Sequence, residues 1–237
     1  MFAALVFTAL VGYLLGSLPF GYLVARAKGV NIFEVGSKNP GATNVRRVLG
    51  AGPGNLVFAL DALKGSVAAA WALGALGSKM VVDLDAPLLN LLNRTYVGAD
   101  WVNLGMAGLV GALLGHSFSC FTGFRGGKGV ATAAGVLLAL NPLLGLATLA
   151  SFALIVGFFR YVSLASIVAA VFAPFYQMLI WGGGPYLLAL VPMSLLLIWR
   201  HSANIRKLLA GTESRLGQKA AGAGSAAPRQ AGKGRRR

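Results

Sequence analysis

The chain consists largely of long apolar runs with almost no charge in them, and this pattern dictates the solvent in which it folds. Residues 3–24, 51–76, 101–121, 162–181 and 186–199 form such runs. Each is long enough, or nearly so, to cross about 30 Å of hydrocarbon as an α-helix. In lipid every backbone N–H and C=O must be satisfied within the segment, which a helix achieves. Composition agrees: of 237 residues, 57% are hydrophobic and 11% charged, with mean hydropathy +0.72. A soluble domain carries about 25% charged residues, and this chain has too few to cover a water-facing surface. The expected fold class is therefore all-α, a polytopic membrane helix bundle.

The run 130–159 sets the number of crossings. It is too long for one span and short for two, but Asn141-Pro142 divides it, because proline lacks an N–H and restricts the residue before it. With two spans there, about seven in all, Arg26, Lys28, Lys38, Arg46, Arg47, Arg125, Lys128, Arg160, Arg200, Arg206 and Lys207 share one side. The other side keeps only Lys79 and Arg94, beside Asp83, Asp85 and Asp100. A single span would move Arg160 and the C-terminal basic residues to the poorer side, against the positive-inside rule. The expected topology has seven spans, N-terminus outside and C-terminus cytoplasmic. With no Lys or Arg before the first run, residues 1–24 read as a retained span rather than a cleaved signal. The single cysteine, Cys120, excludes an internal disulfide framework and a cysteine-based zinc site.

The net charge of +15 does not indicate nucleic-acid binding, since much of it follows Ser214 in a stretch of small, polar and basic residues. Such a segment cannot bury a core, so residues 214–237 are expected to be a disordered cytoplasmic tail after a membrane domain of residues 1–213. The tail either attracts anionic lipid headgroups or simply fixes topology. No chemistry is assigned to the outer connection at 79–100.

Chemistry concentrates in the cytoplasmic connections. Gly36-Ser37-Lys38-Asn39-Pro40-Gly41-Ala42-Thr43-Asn44, followed by Arg46 and Arg47, is far more polar and glycine-rich than its surroundings. Glycine lets backbone N–H groups approach an anion, hydroxyl and amide side chains add donors, and arginine adds a fork matched to phosphate. The loop is either an anion cradle or a turn with a helix cap; the Walker spacing is absent. Gly123-Phe124-Arg125-Gly126-Gly127-Lys128-Gly129 repeats that logic with a lysine at its centre, or serves as a flexible connector. His116 is a base or an interfacial hydrogen-bonding residue. Asp61 and Lys64 lie three residues apart on one face of the second apolar run. Within a span such charges turn inward, as a bundle-closing ion pair or as a wall of a polar site. Arg160-Tyr161-Val162-Ser163-Leu164-Ala165-Ser166 and His201-Ser202-Ala203-Asn204-Ile205-Arg206-Lys207 pass individually as helix termini. In the expected topology every one of these clusters faces the cytoplasm, as one site built from several connections requires.

GSKNPGATN, DALKG, GHSFSCFTGFRGGKGVAT, RYVSLAS and HSANIRKLLAGTE, in this order, resemble the bacterial acyl-phosphate:glycerol-3-phosphate acyltransferase family, from about Gly16 to Glu213. The resemblance implies a seven-helix enzyme of the bacterial inner membrane. It would move a fatty acyl group from acyl phosphate to glycerol 3-phosphate, giving lysophosphatidic acid and phosphate, the first acylation of phospholipid synthesis. Matched by position, Ser37, Gly41, Thr43, Asn44 and Arg47 fall in the family's first motif, Gly126, Gly127 and Lys128 in its second, and Ser163, Ser166, His201 and Asn204 in its last. Ala165 and Ser202 depart from the common pattern and receive no role. Lys128, Arg47, His201 and Asn204 are the expected catalytic residues; Asp61, Lys64 and His116 support them.

Acyl phosphate is a mixed anhydride, and attack by the glycerol 1-hydroxyl builds negative charge on the carbonyl oxygen and the departing phosphate. Lys128, Arg47 and aligned N–H groups would stabilise that charge and hold the reactants in line. Neither metal nor cofactor is implied. The HxxxxD dyad of another glycerolipid acyltransferase class is absent, since His116 is followed at that spacing by Phe121 and His201 by Arg206. The proton then goes to His201 or to a substrate phosphate oxygen, the latter favoured. The expected partners are the two substrates, membrane lipid and, functionally, the enzyme that supplies acyl phosphate. The alternative is a multi-span transporter of anionic or phosphorylated metabolites. That would call for polar clusters at the midplane or on both sides, and usually an internal repeat.

Overall fold

The computed structural model describes residues 2–75 and 99–218, so most of the expected outer connection at 79–100, with Lys79, Asp83, Asp85 and Arg94, and the tail beyond Gln218 lie outside the described residues. Every regular element among the described residues is helical. The first apolar run is not one straight helix: α1 (Phe2–Ser17) and α2 (Phe20–Ala27) flank Leu18-Pro19. Proline cannot donate into the helix ladder, and a carbonyl is released at the break. At the break the Leu18 carbonyl accepts from Phe20 N at 3.1 Å and from Lys64 Nζ at 2.7 Å.

After the loop at 28–41 come α3 (Ala42–Leu49) and the 25-residue α4 (Ala51–Ala75), then α5 (Ala99–Ser117). Asn141-Pro142 separates α6 (Val130–Leu140) from α7 (Pro142–Phe159), as expected. The Asn141 side chain caps α7 by accepting from Leu144 N at 3.1 Å, with Pro142 in the first turn, where its missing N–H costs nothing. Then follow α8 (Val162–Trp181), α9 (Pro185–Arg200) and α10 (Ser202–Leu209), the last two bent by 56°.

Among the described residues four segments are long and apolar enough to cross a membrane, and the bent α9–α10 pair makes a fifth. The other two expected crossings differ in character. α4 is long enough but polar at Asp61 and Lys64, whereas α6 has 11 residues, about 16 Å, roughly half the hydrocarbon thickness. Seven spans is thus an approximate description, with α6 a short helix that ends at a buried Asn141.

Small residues bring the helices together. A Cβ on Gly12 would lie 2.8 Å from the Gly108 carbonyl, and one on Gly16 would strike the Ala112 backbone, so α1 and α5 pack with backbones nearly touching. Gly65 meets Thr132 and Gly135 meets Ala62 in the same way between α4 and α6. Lipid offers no hydrophobic drive between helices, so close van der Waals contact takes its place. Leu109, Val136 and Leu144 sit at the centre of the packed interior. A second apolar cluster, Ala25, Ile32, Phe33, Val45 and Val57, pins the 28–41 loop against α2, α3 and α4.

Candidate active site

The first polar loop is held by its own asparagine. Asn44, buried at 2% exposure, accepts from Ser37 N at 2.8 Å and donates to the Val35 carbonyl at 3.1 Å. Gly36 has a left-handed φ of 59°, and a side chain there would run into Asn44 Oδ1. Gly41 N donates to Asn39 Oδ1 at 2.9 Å. Asn44, expected to be a ligand donor, therefore acts first as the clip of the loop. The hydroxyls of Ser37 and Thr43 and the Arg47 guanidinium have no hydrogen-bond partner among the described residues, which leaves them available to an anion. Arg46 turns away to Asn55, 2.8 Å.

The glycine loop rests on His116. Gly127 N donates to the His116 carbonyl at 2.9 Å, and a Cβ on Gly127 would collide with the His116 ring, on Gly126 with the His116 carbonyl. Close backbone approach, not only flexibility, is what glycine provides here. From the other side Arg200 donates to the carbonyls of Gly126 (2.9 Å) and Gly127 (2.9 and 3.1 Å). In the sequence Arg200 stands out only as one of the charges that set topology.

Lys128, at the end of this loop, donates to Asn204 Oδ1. Asn204 Nδ2 donates to Glu213 Oε1 at 2.7 Å, and Ser163 Oγ donates to the same oxygen at 2.8 Å. Glu213 was not singled out from sequence; its only signal was its place in the GTE run that closes the resemblance. Burial pushes the Lys128 ammonium down to about 8 from its ordinary 10.5; Glu213 opposes the shift, while Arg200, Lys207 and Arg47 add to it. Four expected residues, Lys128, Arg47, Asn204 and Ser163, are thus brought to one end of the bundle. His201, also buried there, has Nδ1 2.8 Å from the Leu197 carbonyl, so the proton sits on Nδ1 and Nε2 carries the free lone pair. Ser166 parts company with Ser163: its hydroxyl donates to the Val162 carbonyl of its own helix, 2.8 Å.

Asp61, Lys64 and His116 form a buried layer beneath the loops. Lys64 Nζ lies 2.8 Å from Asp61 Oδ1, and His116 Nδ1 is 3.7 Å from that oxygen and 3.1 Å from Thr132 Oγ1. Together with Pro40, Gly126 and Gly127 they line a small cleft. They brace the α1–α2 break and the glycine loop. Beside the polar cluster an almost wholly apolar groove of about 690 Å³ lies among α4 to α9, with Val130, Ser166 and Leu197 at its end nearer the polar residues and Leu137, Ala173 and Leu190 deeper.

The model of one family, described as glycerol-3-phosphate acyltransferase, matches residues 6–211. The chain belongs to the glycerol-3-phosphate acyltransferase family. A glycerol-3-phosphate acyltransferase of Ralstonia nicotianae is 47% identical over 217 residues, covering 91% of this chain and 96% of the relative. One of Acaryochloris marina is 46% identical over 215 residues, covering 90% and 92%. The fold is similar to that of PlsY, an integral membrane glycerol 3-phosphate acyltransferase, in the crystal structure of its glycerol 3-phosphate form. The TM-score is 0.76 at 38% identity, covering 90% of this chain and 96% of that one. The lysophosphatidic acid form gives a TM-score of 0.72. A multi-pass membrane member of an acyltransferase family leaves the transporter alternative without support.

Proposed function

We propose that this chain transfers a fatty acyl group from an acyl phosphate to the 1-hydroxyl of glycerol 3-phosphate, releasing lysophosphatidic acid and inorganic phosphate at the cytoplasmic face of the bacterial inner membrane. The observation that carries the reading is the meeting of Lys128, Asn204, Ser163 and Arg47 beside a groove apolar enough for a fatty chain, in a chain that resembles PlsY over 90% of its length. Phosphate recognition needs the first feature and an acyl donor needs the second.

In the proposed reaction the acyl chain lies in the groove and its phosphate faces Lys128. Glycerol 3-phosphate is held by Ser37, Thr43 and Arg47. The glycerol oxygen forms a bond to the carbonyl carbon, the bond from that carbon to the phosphate oxygen breaks, and the hydroxyl proton ends on the released phosphate. Lys128 stabilises the departing charge, which is greatest in the transition state. In this reading His201, through Nε2, orients the nucleophile. Asp61, Lys64 and His116 keep the loops in register, and Gly41, Gly126 and Gly127 give the backbone close approach.

Purified protein supplied with glycerol 3-phosphate should form lysophosphatidic acid from acyl phosphate, with acyl-coenzyme A a poor donor. Activity with the thioester alone would refute the donor assignment.

A further inference from the structure

We infer that Arg200 is a positioning residue of the acyl-transfer site, holding the Gly127–Lys128 peptide so that an N–H rather than a carbonyl faces the phosphate. This rests on the acyl-phosphate reading above and adds to it a residue that touches no reactant.

The geometry of two consecutive peptides supports it. A trans peptide sets its N–H opposite its C=O. The Gly126–Gly127 peptide is fixed at both ends, its carbonyl by Arg200 Nη2 and its N–H by the His116 carbonyl. The Gly127–Lys128 peptide is fixed at one end only: its carbonyl takes both Nε and Nη2 of Arg200. Its N–H, belonging to Lys128, has no partner among the described residues. That N–H therefore points away from Arg200, on the residue whose ammonium contacts Asn204. Both bonded carbonyls belong to glycines, which have no side chain to resist rotation of the peptide plane. Rotation of the Gly127–Lys128 peptide would put an acceptor where the donor stands, and a carbonyl beside a phosphate is repulsive.

Arginine suits this task and lysine does not, because the planar fork engages two carbonyls at fixed angles while an ammonium is a point donor. Arg200 is itself held: its guanidinium lies over the Phe118 ring, 5.3 Å from the centroid. It occupies the last turn of α9, and Asn204 the start of α10 four residues on, so the bend between these two helices governs both the backbone and the ammonium of Lys128.

The test uses inorganic phosphate as probe. In detergent, Arg200→Lys and Arg200→Ala should raise the phosphate inhibition constant and the KM for acyl phosphate about tenfold or more. The KM for glycerol 3-phosphate should stay within about twofold, since that substrate is assigned to the other loop. Millimolar guanidinium at constant ionic strength should restore part of the Arg200→Ala turnover and none of the turnover lost in Lys128→Ala. Variants that melt like the parent yet show unchanged phosphate inhibition, or equal loss for both substrates without guanidinium rescue, overturn the inference. If Arg200→Ala does not fold, Arg200→Lys decides by the same KM comparison. A parent protein inactive with acyl phosphate but inhibited by phosphate would instead refute the donor reading.

Discussion

At the residue scale, Lys128 combines a loop backbone, an amide partner and a depressed pKa. Its ammonium is destabilised by burial, so the charged form predominates below about pH 8 and is lost as pH rises through that value. Free-enzyme kcat/KM should show a basic limb near that value, and Lys128→Arg, which cannot lose its charge there, should remove it from the profile. Lys128→Ala should lower turnover by about a hundredfold or more while the protein still elutes as a folded species, since a preorganised charge at the leaving group is gone. Near-normal turnover would reduce Lys128 to a topology charge. Glu213→Gln makes a finer test. It keeps a hydrogen-bonding oxygen for Ser163 and Asn204 and removes the charge that opposes the Lys128 shift, so the basic limb should move to lower pH.

At the element scale, the bundle depends on helices whose backbones nearly touch. Gly16→Leu would drive a side chain into the Ala112 backbone and separate α1 from α5; the loss should be at least about 1–3 kcal/mol, read as a lower melting temperature in detergent. Gly157, where an added Cβ meets nothing, is the control, and leucine there should leave melting almost unchanged. Element identity was largely legible in the sequence. Apolar length marked α4, α5, α8 and α9, and Asn141-Pro142 marked the boundary between α6 and α7. The α1–α2 break was missed because hydropathy is continuous across Pro19. Hydropathy did not reveal how short α6 is, 11 residues ending where Asn141 caps the next helix.

At the scale of the whole molecule, the polar connections meet at one end of the bundle: Arg200 reaches the glycine loop, Lys128 reaches α10, and Ser163 and Asn204 share Glu213. Residues 214–218, read from sequence as the start of the tail, fold back here as well, with Leu216 N donating to the Arg160 carbonyl at 2.6 Å. Cys120, exposed and the only cysteine of the chain, allows a direct test of sidedness. A membrane-impermeant maleimide should label inside-out vesicles and spare right-side-out ones, and the reverse would invert the proposed topology. Truncation after Gln218 should leave turnover within about twofold, because small and basic residues bury no core. The sequence by itself determined the solvent, the class of fold and which connections carry charge, since these follow from the free energy of placing each residue type in lipid or water. Tertiary structure alone decided which polar groups are engaged and which are left open. Asn44 is spent on its own loop, Ser166 on its own helix, Arg200 on two glycine carbonyls, and Ser163 on Glu213. Hydrogen bonds reach only a few ångströms and depend on direction, so partners more than seventy residues apart, such as Lys128 and Asn204, are set by how the helices pack and not by their order in the chain.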